Sequence, residues 1–337
     1  MSEKPLICVD ADIPFLDGRL EPFARVRLLG QEEFTPEAVR DADALMIRTR
    51  TRCAEPLLGG SRVRMIATAT IGMDQFDLPW CAARGIETRN APGCNAPAVA
   101  QYVWGCILHL GYKPEGLTVG VVGCGHVGSI VADWARRLGA RVLVSDPPLQ
   151  AAGTRPDLEY RPLRELAASC DVLTVHTPHT STGDHPTHHL VDAPVFEAMR
   201  PGSLFINAAR GPVSDNAGLL PALRSGRIRA AIDCWEGEPD IDPEVLRLSS
   251  IATFHIAGYS RQGKQRATRM ALQAIGRHFG FSPDLSGLEG DYQPPTGLSP
   301  ERIMADFDPS PIDALLRSNP GAFDRLRAEY TLRNETL

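Results

Sequence analysis

Short apolar runs of three to five residues alternate with longer polar stretches along most of the chain. The first such runs are Leu6–Val9, Arg25–Leu29, Ala44–Ile47, Met65–Ala69 and Ile86–Thr88. Runs this short, separated by helix-compatible polar segments, predict parallel strands joined by helices. Asn90-Ala91-Pro92-Gly93-Cys94-Asn95 is a turn-rich crossover, and a domain boundary is expected near it. Asn95 is a candidate N-cap, with Pro97 in the first turn of an apolar helix over Ala98–Leu110. Further strands are expected at Leu117–Val122, Arg141–Ser145, Asp171–His176, Phe205–Asn207, Ile228–Ile232 and Ile251–Phe254, with a short helix over Leu163–Ala168. Pro147-Pro148 is expected to force a loop. The pattern as a whole is α/β.

One stretch is more specific than the rest. Leu117–Val122 is followed at once by Gly123-Cys124-Gly125-His126-Val127-Gly128, and then by Val127, Ile130, Val131, Trp134, Ala135 and Leu138 at helical spacing. Gly139 stops that helix, and the next strand ends at Asp146. Strand, glycine turn, helix, strand and acid occur in the order a dinucleotide site requires. Gly123 serves the tight turn, Gly125 lets a pyrophosphate approach the backbone, and Gly128 lets the helix pack close to the sheet. The free N–H groups of the helix start face the phosphates. Asp146 is placed to accept hydrogen bonds from the ribose diol and to repel a 2′-phosphate, so NAD is expected over NADP.

Bulk properties narrow the function. With 337 residues, 43% of them hydrophobic, the chain can form two domains and an appendage. A net charge of −6 argues against nucleic-acid or membrane-surface partners. No apolar run is long enough to span a bilayer, and Met1-Ser2-Glu3-Lys4-Pro5 leads straight into a strand, so a cytoplasmic protein is expected. The eight cysteines form no CxxC pair and read as reduced core residues.

Ligands of open α/β sheets gather at the carboxyl ends of strands. The third strand runs into Arg48-Thr49-Arg50-Thr51-Arg52, where period-two arginines on an extended segment would put several guanidinium groups on one side. The fourth runs into Thr68-Ala69-Thr70-Ile71-Gly72, a source of hydroxyl and N–H donors. Four histidines between His179 and His189 lie in a polar loop without a metal-ligand spacing, and no metal is expected. Arg210, Glu238 and His255 follow three successive strands of the second half. A histidine oriented by a carboxylate suits proton removal from a hydroxyl, and an arginine fork suits a substrate carboxylate.

The order glycine motif, Asn207-Ala208-Ala209-Arg210-Gly211, Asp233-Cys234-Trp235-Glu236-Gly237-Glu238-Pro239, His255-Ile256-Ala257-Gly258-Tyr259 resembles the D-isomer-specific 2-hydroxyacid dehydrogenases. The resemblance implies Arg210, Glu238 and His255 as the catalytic set. It implies an NAD site at Gly123, Gly125, His126, Val127, Gly128, Asp146, Thr177, Ala208, Ala209, Arg210, Asp233 and Gly258. It implies a Rossmann doubly wound NAD-binding domain over residues 95–258. The flavodoxin-like substrate domain would span 1–94 and 259–282, completed by a helix returning near Arg266 to His278.

A narrower match within the family rests on Val9-Asp10, Met46-Ile47-Arg48-Thr49, Ala67-Thr68-Ala69-Thr70, Ala91 to Ala96, Asp146-Pro147-Pro148 and the segment from His255 to Tyr259. It implies Arg48, Thr49, Thr70 and Tyr259 as substrate contacts. It also implies a phosphorylated four-carbon 2-hydroxy acid as substrate, and a small C-terminal dimerisation region over 283–337 in a homodimer. Phe323-Asp324-Arg325-Leu326-Arg327 carries the last point. A sister dehydrogenase acting on another 2-hydroxy acid, or a protein that only senses NAD, remain the alternatives.

Overall fold

The computed structural model describes residues 3–335. The chain divides into two compact units. One comprises the residues up to Asn95 together with Ser260–Tyr292, and the other comprises Ala96–Tyr259 with the residues from Gln293 onward.

The first unit is built on five parallel strands: β1 (Leu6–Asp10), β2 (Arg25–Leu29), β3 (Ala44–Ile47), β4 (Met65–Thr68) and β5 (Glu87–Arg89). Their order, β2-β1-β3-β4-β5, is the flavodoxin-like arrangement. β1, β3 and β4 are buried along their whole length, which is why they read as continuous apolar runs rather than alternating ones. The helix Arg261–Phe279 packs on this sheet and contributes Ala267, Ala271, Leu272 and Ile275 to its core. It begins five residues before Arg266 because Ser260 caps it, the hydroxyl accepting the Gly263 N–H at 3.0 Å. The buried Arg266 donates to the Cys94 carbonyl at 2.7 Å, tying the returning helix to the end of the first segment.

The second unit contains six parallel strands: β6 (Thr118–Val122), β7 (Arg141–Ser145), β8 (Val172–Val175), β9 (Leu204–Asn207), β10 (Arg229–Ile232) and β11 (Ile251–Ala252). The order is β11-β10-β9-β8-β6-β7, and a parallel bridge between Val144 and Tyr160 extends it beyond β7. The chain thus winds outward in both directions from β6, and the glycine turn sits at that switch point. The glycine-turn helix spans His126–Arg137. The helix Ala96–His109 is buried over twelve of its fourteen residues, with Tyr102 and Trp104 among the largest enclosed side chains.

The residues from 293 pack onto this second core through Ile303, Phe307, Ile312, Leu316 and Phe323. Their helices are Pro300–Asp306, Ser310–Ser318 and Phe323–Glu329. β11 is an edge strand, and the C-terminal chain closes it: Asp313 accepts the Ala252 N–H at 2.7 Å.

Two sequence expectations are corrected. Pro147-Pro148 does not make a loop; it opens the helix Pro147–Ala152, with Asp146 as N-cap accepting the Leu149 N–H at 3.0 Å. Proline at the first helical positions costs nothing, since those N–H groups have no intrahelical partner. The segment Arg48–Arg52 is a turn, not an extension of β3. The β3–β4 ladder ends at Ile47, paired with Thr68, and leaves no neighbouring strand to hold the chain extended.

The glycine turn supplies a stability test. A Cβ on Gly128 would lie 2.1 Å from the Gly123 carbonyl oxygen, whereas one on Gly125 meets nothing within 4 Å. Gly128→Ala is expected to destabilise the protein by about 2 kcal/mol or more, and Gly125→Ala by much less, in urea unfolding.

Candidate active site

In the second unit the carboxyl ends of the strands present the chemistry. β9 ends in Asn207, which is fully buried. Its amide donates to the Arg210 carbonyl at 3.0 Å and to Ser214 Oγ at 3.1 Å, and its Oδ1 accepts the Ala209 N–H at 3.1 Å. These bonds hold the turn that carries Arg210, whose Nη1 donates to the Ala209 carbonyl at 2.8 Å. The next residue is Gly211, where a Cβ would lie 1.9 Å from the Trp235 carbonyl oxygen. Only glycine lets this turn lie against the loop after β10.

That loop starts at Asp233, 1% exposed. Its Oδ1 accepts the Thr253 hydroxyl at 2.6 Å and the Ile256 N–H at 2.8 Å, and its Oδ2 accepts the Ala257 N–H at 2.9 Å. Its backbone carbonyl takes the His255 N–H at 2.9 Å. Thr253 is fixed further by the Tyr102 hydroxyl at 2.9 Å, and its carbonyl accepts Trp235 Nε1 at 2.7 Å. His255 is held at φ +58°, a left-handed conformation uncommon for a residue with a Cβ.

In that conformation His255 Nδ1 lies 2.5 Å from Glu238 Oε1, while Glu238 Oε2 accepts the Trp235 N–H at 3.0 Å. A carboxylate only accepts, so Nδ1 carries the proton and Nε2 is left to take or give one. Burial pushes the Glu238 carboxyl up. The hydrogen bond and charge of His255, the Trp235 N–H and the Arg327 charge outweigh burial and hold the group below the ordinary carboxylate range.

Cys234 lies between these parts. Its thiol donates to the Ala209 carbonyl at 3.4 Å, and burial raises its pKa far above the ordinary thiol value. Neither Cys234 nor Trp235 carries a sequence signal for the site, because both look like core residues when read locally.

At the glycine turn, Asp146 Oδ2 accepts the Cys124 N–H at 2.8 Å, fixing the carboxylate beside the turn. Gly125 and His126 are exposed, Val127 is half-buried and Gly128 is buried. After β8, His176 Nδ1 and Thr177 Oγ1 are buried and have no hydrogen-bond partner. Burial alone pushes the His176 imidazole down to about 3, so it is neutral at pH 7. Ala208 and Ala209 are each 9% exposed, and Gly258 is half-buried. A fixed carboxylate, an open glycine and two unsatisfied buried polar atoms fit a dinucleotide.

In the first unit, Arg48 lies 3.5 Å from Asp12 Oδ2, Arg50 donates to Gln31 Oε1 at 3.1 Å, and Thr49 and Arg52 are exposed. Thr70 Oγ1 is 2.7 Å from Thr68 Oγ1. Gln75 reaches Thr68 Oγ1 at 3.5 Å and the Arg48 carbonyl at 3.4 Å. Gln75 thus links two strand ends and was not singled out from the sequence. Tyr259 belongs to the second unit and is half-buried there.

Among the described residues, His189, Asp215 and Glu236 bring potential metal-ligand atoms within 4.8 Å of one another. His189 Nε2 is 2.5 Å from Glu236 Oε1, and Glu236 Oε2 accepts the Asn216 N–H at 3.0 Å. These bonds already account for the grouping as a staple between loops. Two of its members lie far from the histidine run in sequence, so local spacing could not reveal it.

Comparison with known proteins identifies the family. Residues 92–257 match the model of the D-isomer specific 2-hydroxyacid dehydrogenase NAD-binding domain. The erythronate-4-phosphate dehydrogenase of Bacteroides fragilis is 43% identical over 98% of this chain and 97% of its own. That of Marinobacter nauticus is 40% identical over 98% and 92%. Among solved structures, the Aquifex aeolicus D-lactate dehydrogenase complexed with NAD and lactic acid superposes with a TM-score of 0.67. It shares 24% identity and covers 82% of this chain and 95% of its own. The holo form of Rhodotorula graminis D-mandelate dehydrogenase gives 0.71 at 23% identity, over 87% and 100%. These two show the shared fold. The protein is an NAD-dependent oxidoreductase. The chain belongs to the D-isomer specific 2-hydroxyacid dehydrogenase family, in the group formed with these erythronate-4-phosphate dehydrogenases.

Proposed function

We propose that the protein oxidises 4-phospho-D-erythronate at its C2 hydroxyl to (R)-3-hydroxy-2-oxo-4-phosphooxybutanoate, with NAD as acceptor, in the biosynthesis of pyridoxal 5′-phosphate. The observation that carries this reading is the His255–Glu238 pair at 2.5 Å, on the same parallel sheet as the glycine turn. The relatives that match over nearly the whole chain support the choice of acid.

His255 Nε2 takes the C2 hydroxyl proton in the oxidative direction and returns it in the reverse one. Glu238 keeps Nδ1 protonated, orients the ring and compensates the imidazolium that forms. Arg210 holds the substrate carboxylate with its planar fork and fixes C2 in position. Thr49, Thr70, Tyr259 and Arg48 contribute further substrate contacts. Bound NAD would supply the acceptor for the hydrogen and electron pair leaving C2. It would be held by Gly123, Gly125, His126, Val127, Gly128, Thr177, Ala208, Ala209, Arg210, Asp233 and Gly258, with Asp146 on the adenosine ribose. Asp146 is negative and fixed by the Cys124 and Leu149 N–H groups, so a 2′-phosphate there meets repulsion. A cytoplasmic homodimer completes the reading. The eight free, buried cysteines fit a reducing compartment, and the half-exposed Leu315 on the 310–318 helix offers an apolar contact.

Three measurements test this. His255→Ala and Arg210→Ala should each lower kcat/KM for 4-phospho-D-erythronate by about 10²-fold or more. Faster turnover of an unphosphorylated 2-hydroxy acid by the wild type would overturn the substrate. Asp146→Ala should cut the preference for NAD over NADP by about tenfold or more in steady-state assays. The third concerns pH. Glu238 has a folded pKa below its unfolded one, so its contribution to stability is present above the ordinary carboxylate range. That contribution is lost as pH falls through the lower, folded value. Denaturation from pH 7 to pH 3 should therefore show a steeper acid loss of stability in the wild type than in Glu238→Gln.

A further inference from the structure

Arg327, Tyr330 and Arg333 follow one another at three-residue intervals near the end of the chain. All three meet the loop after β11 that carries His255. Arg333 donates to the Ile256 and Tyr259 carbonyls at 3.1 Å each, to the Ala98 carbonyl at 2.8 Å and to Gln101 Oε1 at 2.9 Å. It also donates to the Ala257 carbonyl. The Tyr330 ring stands edge-on to Phe254 and Tyr259, at 6.1 and 6.3 Å between centroids. The Arg327 guanidinium lies over the Tyr259 ring at 5.7 Å. The helix Phe323–Glu329 is thereby held against the catalytic loop within the same unit.

The surroundings of Arg327 lack a counter-ion of its own. Its Nε is buried and has no hydrogen-bond partner. Among the described residues no carboxylate lies within ion-pair distance of it. Glu238 feels its charge, but both oxygens of Glu238 are already engaged, by His255 and by the Trp235 N–H. Tyr259 presents its ring to the guanidinium and offers no carboxylate. A half-buried cation without a counter-ion is costly, and such sites are usually completed by an anion. A planar fork of donors suits a phosphate monoester, whose oxygens accept several N–H groups at once.

We propose that Arg327 is a substrate-binding residue whose guanidinium receives the phosphate of the phosphorylated 2-hydroxy acid, while Arg210 holds the carboxylate at its other end. The inference rests on the function proposed above and deepens it. It assigns the C-terminal segment a part in substrate choice. It also gives phosphate recognition to a residue other than Arg48, Arg50 and Arg52, of which Arg48 and Arg50 are engaged with Asp12 and Gln31.

The test uses the full-length protein at saturating NAD, with Arg327→Met and Arg327→Lys. Inhibition by inorganic phosphate, competitive with the acid, is measured beside KM and kcat for 4-phospho-D-erythronate and for unphosphorylated D-erythronate. Arg327→Met should weaken phosphate inhibition and raise KM for the phosphorylated acid by about 10- to 100-fold, while changing KM and kcat for D-erythronate far less. Arg327→Lys, which keeps the charge and loses the fork, should fall between and shows whether loss in the methionine variant comes from misfolding. Equal losses with both acids would mean that Arg327 acts through Glu238 and His255, and would overturn the proposal. So would a wild type that phosphate does not inhibit, or a methionine variant inhibited as strongly. A wild type that binds phosphate but does not oxidise 4-phospho-D-erythronate would refute the proposed substrate alone, and the phosphate comparison would still decide the role of Arg327.

Discussion

The Asp233 carboxylate is the constraint on which the candidate site depends. It is buried at the end of β10 and accepts three donors from residues 253–257. A buried carboxylate is tolerable only with such satisfaction, so the loop cannot leave without exposing an uncompensated charge. That holds His255 in a left-handed backbone conformation costing on the order of 1–3 kcal/mol. Relaxed to an ordinary conformation, the imidazole would leave the Glu238 carboxylate. The strain is therefore local to His255, and the clamp that offsets it belongs to the neighbouring strand.

The rest of the second unit serves this arrangement by fixing strand ends. Its sheet is parallel and buried, so every strand delivers its carboxyl end to one side, and the glycine turn and the Asp146 carboxylate arrive at the same edge as Arg210 and His255. The weakest member is β11, two residues long and on the sheet edge. The C-terminal chain compensates for it. Asp313 takes the free Ala252 N–H, and Arg317 donates to the Ser249 carbonyl at 2.7 Å and the Leu246 carbonyl at 2.6 Å.

Much of this was legible in the sequence because its causes are local. Buried parallel strands appear as unbroken apolar runs, as with Ala44–Ile47, and the glycine turn announces itself by spacing. Arg210, Glu238 and His255 follow successive strands in the sequence, and the fold sets Glu238 beside His255. What was illegible depends on partners distant in the chain. The arginines after β3 read as an extended ladder, but extension needs neighbouring strands, and these end at Ile47. Pro147-Pro148 reads as a break, whereas Asp146 in front of it caps a helix that tolerates proline at its first positions. Arg327, Arg333 and the grouping of His189 with Asp215 and Glu236 have no local signature, since each acquires its surroundings only through folding.

All eight cysteines are buried, and burial pushes Cys53 and Cys170 up to about 12 and Cys124 up to about 11. Reaction with maleimides or disulfide reagents requires thiolate and access, and the native thiols have little of either. A single cysteine introduced at the surface would therefore outcompete them for a fluorescent or spin label in the folded enzyme. Distances within the molecule could then be followed in solution without first removing the native sulfur residues.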